Sequence, residues 1–408
     1  MLWNACGNAL YLAAQWIVTV LVTNISGFED AGILSIAMSI TATMQTIALF
    51  GVRNFQVSDA DDEYSDSTYF NFRNITCALS LVICIIFSLF GKYSAKQFVA
   101  ILLFMIFRIS ESYTDVLSGI AQKRGRLDLA GKFFALKGVL VLVFFFGGYL
   151  AFESLNAGLG LMALSSCLST VFYDYHATRK LSKFSLTDSF RSSMHLAKKT
   201  IPLCSYMFLF TALTSIPKII LEALTNDVVL GAYASIFAPA TLIQAATGYI
   251  YTPFSTIFAF SIKNNDYQRV KSITMKIILA MLGITAFTLV AFHFFGEYLF
   301  NFIFGEDILE YIYLLNPIVI ATVLLSFLGF LCMVEVVVRD FVGIITGCAA
   351  GVVAATVLSF VLINRFSAQG TSYAIIIAVS LAIIISAISL TRKIHFMKKQ
   401  YELGLKET

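Results

Sequence analysis

Apolar runs of about twenty residues recur along the chain at nearly regular intervals, separated by short polar connections. A helix needs ~20 consecutive apolar residues to cross the hydrocarbon core of a bilayer. Twelve spans are predicted, over 2–23, 31–50, 74–90, 97–119, 133–152, 155–173, 200–221, 229–258, 274–296, 311–337, 341–363 and 370–390. Backbone groups in lipid must be satisfied within the segment, and the ten-residue alternation of barrel strands is absent, so these spans are helices. The pattern predicts an all-α polytopic membrane protein.

Composition agrees. The 408 residues are 59% hydrophobic and 13% charged, where soluble domains carry about 25% charged residues. A net charge of +4 is too small to suggest nucleic-acid binding. The seven cysteines all fall in apolar segments and form no CxxC pair or metal-ligand spacing, so they are expected to pack between helices. No metal and no cofactor is expected. The first apolar stretch lacks a basic flank and a convincing small-residue cleavage site, so no cleavable leader is expected.

Lysine and arginine set the orientation. Of 28, three lie on one set of alternate connections (Lys92, Lys96 and Arg365) and four within spans (Arg108, Lys137, Lys218 and Lys276). The remaining twenty-one lie on the other set, which is therefore expected to face the cytoplasm together with both termini. The outer connections are short, the longest being 297–310. They leave no room for the outer domain that a membrane glycosyltransferase or polymerase needs.

The longest inner connection divides the spans six and six. The expected organisation is an N-terminal six-helix lobe over 1–176, a basic linker over 177–199, a C-terminal six-helix lobe over 200–390 and a basic tail over 391–408. Parallel repeats of this kind mark transporters whose lobes move around a central cavity. The second span, AGILSIAMSITATMQ, and the eighth, LGAYASIFAPATLIQ, support duplication: Gly32 and Gln45 are thirteen residues apart, as are Gly231 and Gln244. All five prolines (202, 217, 239, 253 and 317) lie in the C-terminal half, where they either shape packing or serve as hinges.

Ionisable residues inside spans are costly and point to function. In FMIFRISESYTDVLSGIAQKRGR, Arg108, Glu111 and Asp115 are spaced i, i+3 and i+7 and share one helical face. They line a cavity, with Arg108 on an anion and a carboxylate carrying a proton or cation, or they form a self-satisfied ion-pair network. Lys218 follows Pro217 and is read either as a ligand or as a local partner of Glu222. Lys137 lies about one turn into the fifth span, from which it reaches the inner surface by snorkelling or the cavity. Glu335 and His293 lie near span ends and read as peripheral. Gln15, Gln45 and Gln244 suit a polar cavity or interhelical hydrogen bonds. Asp59-Ala-Asp61 matches the DxD pattern of nucleotide-sugar enzymes, yet sits in a short loop with no domain around it and reads as solvated acidic sequence. Neither a GxxxxGK[ST] loop nor an HExxH pattern is present.

Three passages, AGILSIAMSITATMQTIALFGVRNF, RISESYTDVLSGIAQKRGRLDLAGK and IPKIILEALTNDVVLGAYASIFAPA, resemble the bacterial polysaccharide flippases. These belong to the multidrug, oligosaccharidyl-lipid and polysaccharide exporter superfamily. The similarity runs over essentially the whole chain. It departs at the N-terminus, where the family's short basic stretch is missing and Met1 enters the first span at once, as if the start lay downstream of the natural one. The resemblance implies alternating access and translocation of undecaprenyl-diphosphate-linked oligosaccharide across the bacterial cytoplasmic membrane. Arg108 and Lys218 would contact diphosphate, and Lys137 and Arg53 would assist at the cytoplasmic mouth. Gln15, Gln45 and Gln244 would contact sugar hydroxyls, while Glu111 or Asp115 would couple to a proton or sodium ion. The implied partners are the lipid-linked substrate, the bilayer, a polysaccharide polymerase and a chain-length regulator. The alternative within the superfamily is a multidrug or metabolite exporter. A major-facilitator transporter fits less well, because GVRNFQVSDADDEY replaces its basic loop after the second span.

Overall fold

Helix-start chemistry appears where the hydropathy places the span boundaries. The computed structural model describes residues 2–59, 63–185 and 189–402. Its first helices are α1 (Leu2–Leu49), α2 (Val52–Ser58), α3 (Asp66–Phe90), α4 (Ala95–Lys123), α5 (Leu127–Phe152) and α6 (Leu155–Ser169). Ser65 accepts from the Thr68 amide to start α3, and Ser94 with Gln97 forms a reciprocal capping box at α4. After α6 the helix widens into a π-turn over Thr170–Tyr175 before the short α7 (His176–Arg179).

Then follow α8 (Phe190–Leu224), α9 (Asp227–Tyr251), α10 (Ser255–Lys263), α11 (Tyr267–Phe304), α12 (Leu315–Val337), α13 (Phe341–Phe366) and α14 (Ala368–Glu402). Asn226, Asp266 and Asp340 cap α9, α11 and α13 by accepting amide hydrogens.

Ten of the described helices are long and apolar enough to cross a membrane. The difference from twelve arises at two places. The first and second spans meet without an intervening loop, but the backbone at Gly27 (φ 78, ψ −174) is non-helical and separates α1 into two helices, just before Glu29-Asp30. The helix α4, which carries Arg108, Glu111 and Asp115 within its length, is not among the ten. In the second half, the expected eighth span is divided at Thr252–Phe254, and the tenth becomes α-helical only from Leu315, after a 3₁₀ segment over Glu306–Leu314. Pro317 therefore falls in the first turn of α12, where amide donors lack intrahelical partners anyway.

The chain divides into two compact units, one running through Thr211 and the other beginning at Ala212. In the first, α1 packs against α5 so closely that a Cβ at Gly131 would overlap the backbone of Trp3. The segment expected to be a free linker is drawn onto this unit. Ser182 Oγ donates to Asp66 (2.6 Å), the Ser185 amide donates to Ser67 Oγ (2.8 Å), and Phe184 is buried against Phe70 and Tyr175. From Phe190 the segment is already α8. In the second unit, α13 lies along α14 with Gly347 and Gly351 against Ser386, Ala382 and Ala378, a small-residue seam suited to membrane helices. The basic tail is helical to Glu402, and its last six residues lie outside the described ones.

Candidate functional site

The i, i+3, i+7 face of α4 is the centre of a polar cluster inside the first unit. Glu111 is its hub. Its Oε2 accepts from Arg108 Nη1 at 2.8 Å and Gln45 Nε2 at 3.1 Å, and its Oε1 accepts from Gln15 Nε2 at 3.0 Å. Both charges are well shielded, with side chains 12% and 7% exposed. The Arg108 guanidinium also lies over the Phe104 ring, 5.1 Å from its centroid, and its buried Nε has no hydrogen-bond partner among the described residues.

One turn along α4, Asp115 is held from two sides. Arg73 Nη2 reaches Oδ2 at 3.0 Å and Arg53 Nη1 reaches Oδ1 at 3.4 Å. Arg53 also donates to Gln122 at 3.3 Å, and Arg73 to the Ala48 carbonyl. Arg53 and Asp115 line a cavity of about 250 Å³ together with Leu49, Gly51, Asn54 and Met207. Arg108, Gln15 and Gln45 are thus gathered on Glu111, and Arg53 on Asp115 one turn along the same helix. Arg73, whose position just before a span made it look like an ordinary inner-side cation, joins them as a fully buried member.

Lys137 departs from its expected place at the cytoplasmic mouth. It is fully buried, with Nζ donating to Thr114 Oγ1 (2.6 Å), Thr170 Oγ1 (2.8 Å), the Ser110 carbonyl (3.1 Å) and Ser110 Oγ (3.3 Å). Thr114 in turn donates to Asp174 at 2.6 Å. The ammonium is consumed by the neighbouring face of α4, at Ser110 and Thr114, and by the π-turn that carries Thr170 and Asp174. Asp174, the first residue past the sixth span, carried no signal in the sequence.

Lys218 and Gln244 belong to the second unit. Lys218 Nζ sits 3.7 Å from the centroid of Phe237. Gln244 is half-buried on α9. Glu335 is not peripheral: it is fully buried on α12.

The DxD motif resolves into a structural anchor. Asp59 accepts from the amides of Glu63 (2.9 Å) and Tyr64 (3.2 Å), from the Tyr69 hydroxyl (2.9 Å) and from Lys123 (3.3 Å). Burial alone would raise its carboxyl, but the Glu63 amide, the Tyr69 hydroxyl and the Tyr64 amide outweigh that and hold it below the ordinary carboxylate range. Asp61 and Asp62 lie outside the described residues. Among the described residues no group of His, Cys, Asp and Glu is arranged to hold a metal ion.

The architecture matches known transporters along nearly its full length. The fold is similar to that of the lipid II flippase MurJ in an inward closed conformation, with a TM-score of 0.76, 11% identity and coverage of 99% of this chain and 92% of that one. It is similar also to an inward-facing multidrug resistance MATE family transporter of the MOP superfamily (TM-score 0.73, 14% identity, 96% and 95% covered). The chain has the fold of the MOP-superfamily transporters. The all-α membrane class expected from hydropathy is the class of this fold. By sequence, the chain is 24% identical over 309 residues to the capsular polysaccharide biosynthesis protein CapF of Staphylococcus aureus, covering 74% of this chain and 75% of that protein. No protein-family profile matches it.

Proposed function

We propose that this transporter flips undecaprenyl-diphosphate-linked oligosaccharide units from the inner to the outer leaflet of the bacterial cytoplasmic membrane, during synthesis of a surface polysaccharide. The observation that carries this is the charge balance of the first unit's cluster. Three guanidinium groups (Arg53, Arg73 and Arg108) face two carboxylates (Glu111 and Asp115). The excess of one fixed cation favours an anionic ligand, and guanidinium groups match phosphate oxygens with paired donors. The likeness to a lipid II flippase and to a capsular polysaccharide biosynthesis protein supports the same reading.

In this mechanism the diphosphate takes Arg108 away from Glu111. A carboxylate that loses its counter-ion in a shielded site gains affinity for a proton or sodium ion, which links substrate loading to ion loading at Glu111, with Asp115 as the second candidate. Gln15 and Gln45, released from Glu111, become free to bond sugar hydroxyls. Arg53, the most exposed of the three arginines, meets the headgroup first at the cavity beside Asp115. Lys137 acts through the packing of α4. A polymerase and a chain-length regulator consume the flipped unit.

Export of an organic cation is the second reading. The two carboxylates and the fold shared with multidrug transporters favour it. A deletion strain separates the two. Loss of surface polymer with build-up of complete lipid-linked units on the inner leaflet is expected. Normal polymer and normal lipid-linked pools, with no second flippase gene present, overturn the flippase reading and promote drug or metabolite export.

A further inference from the structure

Glu335 stands apart from every carboxylate of the first unit's cluster. It lies two residues from the end of α12, is sealed from solvent, and neither of its oxygens has a hydrogen-bond partner among the described residues. No cation pairs with it there. Glu111 and Asp115, by contrast, are each met by guanidinium groups. A charged carboxylate without a partner is so unfavourable in a water-free interior that the group carries a proton instead.

Its surroundings make the same demand. The groups facing it are the Cys332 thiol on its own helix, the Ser386 hydroxyl on α14 and the Asp340 carboxylate at the α12–α13 turn. Asp340 is itself held as an acceptor by the Gly343 amide (3.3 Å) and Ser389 Oγ (2.7 Å). Its negative charge opposes a second one at Glu335.

A polar seam leads from Glu335 toward the surface. Ser386 Oγ is buried and has no partner among the described residues. Ser389 lies one turn further along α14 and already donates to Asp340, which is half-buried beside the exposed Arg339. The Asp340 amide donates to the Glu335 carbonyl at 2.8 Å, which brings the two residues together across the turn. Gly343 and Gly347 on α13 lie opposite Ser389 and Ser386, and a Cβ at either would overlap the hydroxyl. The glycines keep this run of hydroxyls open between the helices.

We propose that Glu335 is a proton-binding site of the second unit, loaded in this conformation and emptied past Ser386 and Ser389 to Asp340 when the transport cycle rearranges α12–α14. The proton leaves to water on the side that the lysine and arginine distribution assigns to the cytoplasm, and Glu335 is left as a carboxylate. The loading rests on the burial of this residue alone, while the emptying rests on the transport reading given above.

Infrared spectroscopy of the full chain in lipid nanodiscs reads the loading through the C=O stretch of a protonated carboxylic acid. At neutral pH the wild type is expected to show such a band, Glu335→Gln to lose it, and Ser386→Ala to shift it without loss. Identical acid bands in wild type and Glu335→Gln overturn the proposal. Should Glu335→Gln fail to fold, Ser386→Ala decides: an unshifted band overturns it. The emptying is read in proteoliposomes under an imposed pH gradient, with a fluorescent undecaprenyl-diphosphate-linked oligosaccharide as the probe. Wild-type translocation is expected to accelerate with the gradient and Glu335→Gln to lose that response. An unchanged response in Glu335→Gln overturns the emptying step. Wild type that leaves this probe untransported while its Glu335-dependent band is present overturns the flippase reading and leaves the proton site standing.

Discussion

Arg73 on α3 and Asp115 on α4 form an ion pair at 3.0 Å in which the guanidinium has no solvent exposure. Removing one partner from a buried pair leaves the other charge uncompensated and costs about 3–5 kcal/mol. Arg53, at 3.4 Å and 27% exposed, compensates only in part. Arg73→Met is therefore expected to lower the thermal midpoint of the purified protein, and the Arg73→Met/Asp115→Asn double variant to recover much of the loss. A midpoint unchanged by Arg73→Met would show the pair to be energetically idle.

Arg108 is the cation that an anionic headgroup would have to capture from Glu111. Truncating one partner of a buried charge pair costs about 2–5 kcal/mol of binding, or roughly 30-fold and upward in affinity. Arg108→Ala is expected to weaken binding of an undecaprenyl-diphosphate probe by at least that factor and to abolish polymer export in cells. Arg108→Lys is expected to retain part of both, because the charge survives but the paired donors do not. Equal affinity in wild type and Arg108→Ala would remove Arg108 from the binding site.

The two glutamine side chains on Glu111 make a coupled set. Hydrogen bonds to charged groups are each worth about 1.5–3 kcal/mol. In a double-mutant cycle on stability, Gln15→Ala and Glu111→Gln should interact, as should Gln45→Ala and Glu111→Gln, by 0.5 kcal/mol or more. Additive losses would mean that the carboxamides do not act through Glu111.

Asp59 ties the loop before α3 to Tyr69 and Lys123, and its carboxyl lies below its ordinary range. A group depressed in the folded state stabilises fully above its unfolded value, about 3.9, and that contribution fades as pH falls through the folded value. The protein is thus expected to lose stability on acidification below about pH 4. Asp59→Asn should be less stable than wild type at neutral pH and show a weaker acid dependence in that window. Parallel pH profiles for the two proteins would remove Asp59 from the account.

The helices and the Arg108–Glu111–Asp115 face were legible because both follow from local periodicity. Hydropathy marks a segment that must satisfy its own backbone, and the spacing i, i+3, i+7 fixes a shared face wherever the helix ends up. The side chains that were misjudged depend on what a different helix brings opposite them. Arg73 looked like a surface cation at a span boundary until α4 presented Asp115. Lys137 had the depth to snorkel, yet hydroxyls from α4 and the π-turn drew it inward. Lys218 was read from its neighbour four residues on, whereas the Phe237 ring of α9 lies against it. Glu335 looked peripheral by its distance from the span end, a measure that ignores the packing of α13 and α14 over it. Asp174 was invisible because the widened turn that seats it leaves no compositional mark.

The kink at Gly27 has a consequence for Glu111. Thirty residues of uninterrupted helix would separate Gln15 and Gln45 by about 45 Å, yet both side chains end on the two oxygens of one carboxylate. The backbone conformation at residue 27 belongs to a region that only glycine occupies without strain, and a Cβ there would meet nothing within 4 Å. The aim of two carboxamides at one acid is therefore governed from a distance by a single main-chain torsion, at a position where no contact would betray its importance.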